Sequence, residues 1–331
     1  METIAGADRQ RARADDSSSG AELSPRISIA ILNYQRREIL RGALEAARRQ
    51  RGAFEIIAVD NASTDGSAEM VQREFPDVRL IRLSSNVGAA GRNAGVTAAK
   101  GDIVVTLDND VLFTTPHDVE RVATVFARHP RAAIVNFMIV GADGQLSRRD
   151  WCHPRDADQW AQSEFPTSYV LEGASACRRE AFLATGGYWP PLFIGHEGLD
   201  LALRLINAGH ELVYTPEIRV RHLVEPSVRP SSRIYYTYTR NALWVALRNH
   251  RSAPAAAAIA QDLALMGFCA ARAGELPAYV RGAWHAVRGA RAALATRAPL
   301  SRDAYTRLKN VRAYRPGIVR RALRHVRERL I

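Results

Sequence analysis

Four apolar runs of strand length, each closed by a polar exit, constrain the fold of this 331-residue chain more than any other feature. They occupy residues 27–32 before Asn33-Tyr34, 54–59 before Asp60, 78–83 before Ser84-Ser85-Asn86, and 103–107 before Asp108-Asn109-Asp110. Helical patterns stand between them. Leu40, Ala43, Leu44 and Ala47 follow the i, i+3, i+4, i+7 rule, a helix starts after Ser67, and small residues predict a helix over 89–99. Strand and helix alternating in this rhythm predict an α/β fold with a doubly wound, mainly parallel central sheet and right-handed crossovers. The length accommodates one large α/β domain with an appendage.

In an open α/β sheet, ligands bind at the carboxyl ends of the strands. Here every strand-to-helix exit on that edge is polar: Asn33, Asp60 with Asp65, Asn86, and Asp108 with Asp110. Turn chemistry accounts for any one of them. Four on one edge point to a nucleotide site. Gly88, Gly91 and Gly95 do not form G-x-G-x-x-G and follow the third strand, and no P-loop pattern is present, so dinucleotide and P-loop sites lack support. Two carboxylates one residue apart, Asp108 and Asp110, suit Mg²⁺ or Mn²⁺, which take one or two carboxylates together with substrate phosphates.

Beyond Asp110 the pattern predicts a helix over 118–128 and a strand over 132–140. Residues 147–168, with Trp151 and Trp160, lack periodicity and read as a mobile lid or acceptor loop. A strand passes into a short helix across 172–180. A further helix begins near Glu197, with Leu199, Ala202, Leu203 and Ile206 on its buried face and Gly209 as the residue after its end. Asp200 and Arg204 stand at i, i+4 in the favourable order for a salt bridge. Glu197 lies at the helix entrance, where a carboxylate is favoured. The strand over 211–222 carries Ile218, Val220 and His222 on one face; His222 is either an edge histidine or a metal ligand.

With these motifs in place, the chain resembles the family-2 glycosyltransferases of the glycosyltransferase-A fold, particularly the bacterial branch that includes rhamnosyltransferases. The matching pieces are Val59-Asp60-Asn61-Ala62-Ser63-Thr64-Asp65-Gly66-Ser67, Asn86-Val87-Gly88-Ala89-Ala90-Gly91-Arg92-Asn93-Ala94-Gly95, Leu107-Asp108-Asn109-Asp110, His196-Glu197-Gly198-Leu199-Asp200-Leu201-Ala202-Leu203-Arg204 and the strand ending at His222. The resemblance implies an inverting, metal-dependent transfer of a sugar from a UDP- or dTDP-sugar to an acceptor hydroxyl, in polysaccharide, glycolipid or natural-product assembly. It implies that Asp60 binds the nucleobase or ribose, that Asn86, Arg92 and Asp108 add donor contacts, that Asp110 and His222 ligate Mg²⁺ or Mn²⁺, and that Glu197 is the base. Many relatives carry two adjacent acids where this chain has Glu197-Gly198, which leaves Asp200 as the fallback base. A sugar-phosphate nucleotidyltransferase and a catalytically inactive nucleotide-sugar-binding protein remain the alternatives.

The charge is unevenly placed. Residues 270–331 hold fifteen Lys and Arg against three Asp and Glu, whereas residues 1–269 hold thirty-one of each. A basic segment on a neutral body serves a surface partner. Val280, Ala283, Trp284 and Val287 form one apolar stripe there, with Arg281, Arg288 and Arg291 off it; Val319, Ala322, Leu323, Val326 and Leu330 form another. These helices either pack back on the catalytic domain or lie on anionic lipid. No nucleic-acid-binding motif accompanies the charge. The resulting expectation is a disordered tail over 1–26, a catalytic domain over 27–250 and a basic helical extension over 251–331. Three cysteines without metal-like spacing, no signal-peptide pattern and no membrane-length apolar run place it in the cytoplasm or at the inner face of the membrane.

Overall fold

Strands buried on both faces read as continuous apolar runs, and β1 (Ile27–Asn33) and β4 (Ile103–Asp108) sit side by side in the middle of one sheet for that reason. The computed structural model describes residues 26–223, 231–251, 253–313 and 317. Arg26 alone represents the expected amino-terminal tail, donating its backbone N–H to Asp102. The rest of that tail, and the apolar stripe from Val319 to Leu330, lie outside the described residues.

The other strands are β2 (Phe54–Asp60), β3 (Arg79–Arg82), β5 (Val111–Phe113), β6 (Ala132–Val140), β7 (Phe165–Pro166), β8 (Ala174–Arg178) and β9 (Glu211–His222). Their order is β3-β2-β1-β4-β8-β6-β9-β5, with β7 also on β9. The first four are parallel, as the sequence rhythm predicts. β8 runs antiparallel between β4 and β6, β6 and β9 are parallel, and β5 and β7 are antiparallel to β9. The antiparallel β8 brings residues at its amino end to the same edge as the carboxyl end of β4. The β5–β9 pairing sets Val111 opposite His222.

One core lies under α1 (Arg37–Arg48), α2 (Ser67–Glu74) and α4 (Asp118–Arg128), and includes Ile29, Leu44, Val105, Phe126 and Phe137. The other lies under α3 (Arg92–Ala98), α6 (Arg179–Ala184) and α7 (Glu197–Asn207). The sequence predicts one helix over 89–99, but Gly88–Gly91 forms a 3₁₀ turn before α3. There Gly88 has φ of +64°, and a Cβ on it would lie 2.0 Å from the Phe193 carbonyl oxygen. Residues 147–168, expected as a lid, are anchored on the sheet. They carry the short α5 (Ala157–Trp160) and β7, and Trp151, His153 and Phe165 pack as an aromatic cluster on Tyr214 of β9.

Five further helices follow: α8 (Ser231–Asn249), α9 (Ala253–Arg272), α10 (Leu276–Arg288), α11 (Ala290–Ala295) and α12 (Arg302–Arg312). Trp244, Ala293, Leu300, Ala304 and Leu308 join the second core with Leu203 and Ile206, so part of the extension packs back on the sheet-covering helices. In α10 the predicted apolar stripe faces outward: Val280, Trp284 and Val287 are 56%, 58% and 69% exposed. The buried face is instead Ala278, Gly282 and Ala286. A Cβ on Gly282 would lie 2.5 Å from the Tyr236 carbonyl oxygen, so α10 and α8 approach too closely for large side chains between them. No helix among the described residues is long and apolar enough to cross a membrane.

Candidate active site

Side-chain amides at the carboxyl ends of β1, β2 and β4 cross-link the loops that follow. Asn33, fully buried, donates from Nδ2 to Asp60 Oδ1 at 3.3 Å and to Ser63 Oγ at 3.1 Å, and accepts from Asn109 Nδ2 at 2.7 Å. Asp60 Oδ2 takes the Ser63 N–H at 3.1 Å. Asn86 Oδ1 accepts from Asn61 Nδ2 at 3.0 Å and from the Gly88 N–H at 2.8 Å. Asp65 stands apart, its carboxylate accepting from the N–H groups of Arg37 and Ser67 and from Ser67 Oγ. That engagement joins the starts of α1 and α2. Among these polar exits, Asn33 and Asp60 brace the loop after β2 through Ser63, Asn86 is tied to Asn61 at the start of the same loop, and Asp65 holds the helices beside them.

Asp108 closes β4 with its side chain two-fifths exposed and paired to the buried Arg92 guanidinium from α3. Burial alone would lower the Arg92 pKa, but the charge of Asp108 together with Tyr188, Glu172 and Glu197 outweighs it and raises it. The Asp108 backbone N–H bonds the Gly173 carbonyl at 3.2 Å.

Two residues further, Asp110 bonds Arg36 Nη1 through Oδ2 at 2.6 Å and lies 3.8 Å through Oδ1 from His222 Nε2. His222 Nδ1 lies 3.1 Å from Asp150 Oδ2, which also accepts from Ser147 Oγ. The carboxylates of Asp110 and Asp150 together raise the imidazole to about 10. Burial opposes ionisation of Asp110, but His222 and Arg36 more than offset it and lower its pKa. Among the described residues, no group of three or more His, Cys, Asp or Glu side chains is placed to hold a metal ion. As placed, Asp110 is held by Arg36 and His222 stands between Asp110 and Asp150, so these two side chains could ligate Mg²⁺ or Mn²⁺ only once the ion displaces the imidazole proton and the Arg36 contact.

Glu197 opens α7 at 7% exposure, and its Oε2 has no hydrogen-bond partner among the described residues. Burial raises its pKa, as it does that of the partly buried Glu172 before β8. Glu172 Oε1 accepts the Gly198 N–H at 2.6 Å. Asp200, the fallback base, is placed differently: its carboxylate is fully buried and bonded to Arg204, Arg248 and Asn249. With those three partners saturating it, Asp200 ties α7 to α8 and has no free oxygen for proton transfer. The predicted pairing of Asp200 with Arg204 is present at 2.9 Å.

The backbone is unusual at this edge. Gln35, Arg36, Ala62, Phe193 and His196 have φ between 57° and 66°, in the left-handed region that non-glycine residues seldom adopt. They lie in the loops after β1 and β2 and before α7. Such conformations persist where surrounding contacts enforce them, and they cluster at ligand-binding sites.

This edge can be set beside known proteins. Residues 28–185 match the model of glycosyl transferase family 2. The match spans β1 to α6, and it supports the family for the segment that builds most of the site. Over 202 residues the chain is 25% identical to an N-acetylglucosaminyl-diphospho-decaprenol L-rhamnosyltransferase of Mycobacterium tuberculosis, covering 50% of this chain and 66% of that one. Over 191 residues it is 24% identical to the O-antigen chain rhamnosyltransferase WbaN of Salmonella anatum, covering 55% and 60%. It thus spans just under two thirds of the length of these curated relatives. The fold is the glycosyltransferase-A fold: the mannosyltransferase PcManGT of Pyrobaculum calidifontis, solved with GDP-Man and Mn²⁺, superposes with a TM-score of 0.55. That likeness covers 91% of this chain and 87% of the other at 21% identity.

Arg36, Asp150 and Glu172 join this edge without a sequence motif that marks them. Arg36 follows a strand end and so had a local signal. Asp150 sits in a segment without periodicity, and Glu172 reaches the edge only because β8 is antiparallel.

Proposed function

We propose that this chain is an inverting, divalent-metal-dependent glycosyltransferase acting on a nucleoside-diphosphate sugar. The observation that carries this reading is the convergence, at one sheet edge, of the Asn33–Asp60 and Asn61–Asn86 contacts, the Arg92–Asp108 pair, the Asp110–His222 pair and the buried acid Glu197. The family match and the glycosyltransferase-A fold support it. Asp60 and Asn86 frame the nucleoside, and Arg92 with Asp108 orients the donor. Asp110, with His222 once deprotonated, would hold Mg²⁺ or Mn²⁺, and the ion would neutralise charge on the leaving diphosphate. Glu197 takes the proton of the acceptor hydroxyl as its oxygen bonds the anomeric carbon. The bond from that carbon to the diphosphate oxygen breaks, and its electron pair leaves with the nucleotide. A positioned carboxylate contributes ~10²–10⁴-fold to such a step.

The names of the relatives, both rhamnosyltransferases, favour a rhamnosyl-type sugar donor and an acceptor in lipid-linked or O-antigen polysaccharide assembly. The outward face of α10, apolar and flanked by Arg281 and Arg288, fits a peripheral position on an anionic membrane. Thermal stabilisation by UDP-, dTDP- and GDP-sugars, with and without Mn²⁺, tests the reading. Stabilisation that requires Mn²⁺ in the wild type and vanishes in Asp110→Ala is expected. Stabilisation by NAD in place of every nucleotide sugar, or none by any of them, overturns it.

A further inference from the structure

Residue 198 has no side chain, yet the space over it is filled. A Cβ on Gly198 would lie 2.3 Å from Glu172 Oε1 and 2.2 Å from the Val170 carbonyl oxygen. The carboxylate of Glu172 thus occupies the volume next to Glu197 that a side chain on residue 198 would take, held there by the Gly198 N–H. Its neighbour in sequence, Gly173, lies against the Asp108 carboxylate. Glu172 therefore stands between the donor-side acid of β4 and the buried acid that opens α7.

We propose that Glu172 is a second catalytic acid of this site, forming with Glu197 a carboxyl pair that holds one proton and accepts the proton of the attacking hydroxyl. The proposal rests on the glycosyltransferase reading above. Two carboxyls in one desolvated place cannot both ionise cheaply, so the pair retains a proton. Glu197 Oε2, buried and without a partner among the described residues, is the oxygen that remains to receive a substrate hydroxyl. The Gly198 N–H bonds Glu172 Oε1 and fixes that side chain beside Glu197. Burial raises both groups, and the Glu197 charge raises Glu172 further. In the step itself, the proton already held stays on Glu172, the hydroxyl proton passes to Glu197 Oε2, the hydroxyl oxygen bonds the anomeric carbon, and the nucleoside diphosphate departs with the electrons of the broken bond.

The test needs no knowledge of the natural acceptor, because water can take its place. The full chain is incubated with Mn²⁺ and whichever nucleotide sugar stabilises it in the panel above, and nucleoside diphosphate release is followed across pH. Glu172→Gln keeps an oxygen for the Gly198 N–H and removes the charge. Release is expected to fall at least ~100-fold, with donor stabilisation retained and the pH at half-maximal rate displaced from that of the wild type. Glu172→Ala is expected to regain rate on adding formate, which also serves if the Gln variant does not fold. A Glu172→Gln enzyme with wild-type rate and pH profile, an Ala variant indifferent to formate, or loss of donor stabilisation in Glu172→Gln overturns the assignment while leaving the transferase reading intact. A wild type that binds no nucleotide sugar overturns both.

Discussion

The carboxylate of Asp108 rests against the Cα of Gly173 so closely that a Cβ there would stand 2.3 Å from Cγ of Asp108. The absent side chain is what lets a β4 acid remain partly exposed at the sheet edge while paired to Arg92. Gly173→Ala should therefore swing Asp108 away from Arg92. Donor affinity is expected to drop at least ~10-fold, about 1.4 kcal/mol, with the melting temperature close to that of the wild type. Nucleotide titration with Mn²⁺ measures it, and unchanged affinity would remove Asp108 from the donor contacts.

Asp200 carries the opposite kind of prediction. Its carboxylate neutralises Arg204 and Arg248 in the interior between α7 and α8. Asp200→Asn leaves two buried guanidiniums short of a counter-charge, and breaking a buried ion pair this way costs about 3–5 kcal/mol. A lower urea midpoint is expected, with nucleotide binding preserved at low temperature in the fraction that stays folded. If stability is unaltered and turnover is lost, Asp200 has a chemical role after all.

Stability should also depend on pH through Glu172 and Glu197. Both carboxyls are raised by folding, so between their ordinary range and the raised values the folded chain binds more protons than the unfolded one. Stability then falls as pH rises through that window. Below the ordinary carboxyl range both states are protonated and the penalty disappears. Glu172→Gln removes one of the two groups and should flatten the decline, read as melting temperature against pH; equally steep curves for both proteins would contradict the shared burial.

On α10, Val280, Trp284 and Val287 are more than half exposed beside Arg281 and Arg288. Replacing Val280 and Val287 by Ser and Trp284 by Ala should reduce binding to vesicles containing anionic lipid several-fold and leave folding stability within about 0.5 kcal/mol per site. Co-sedimentation with anionic and neutral vesicles distinguishes the cases, and identical binding by wild type and variant would leave this face without a lipid partner.

The alternating strand and helix pattern sufficed to predict the doubly wound half, because local periodicity encodes which face of each element is buried. The polar exits Asn33, Asp60, Asn86 and Asp108 could likewise be placed on one edge, since parallel strands send all their carboxyl ends the same way. The same reasoning could not separate Asp65, which joins two helix starts, from its neighbours. A turn acid that bonds backbone amides and one that faces a ligand look alike in sequence.

Other features depended on contacts between distant segments. The direction of β8 sets Glu172 over Gly198 and Gly173 against Asp108, and the pairing of β5 with β9 brings His222 to Asp110. In α10 the small residues are inside and the large ones outside, the reverse of the sequence pattern, because the distance to α8 admits only glycine and alanine. By itself the sequence determined the elements, their alternation and the chemistry available at the strand ends, all properties of short-range periodicity. Tertiary structure decided which acids share a desolvated space and which are consumed by buried arginines, because burial and charge pairing arise only when remote segments meet.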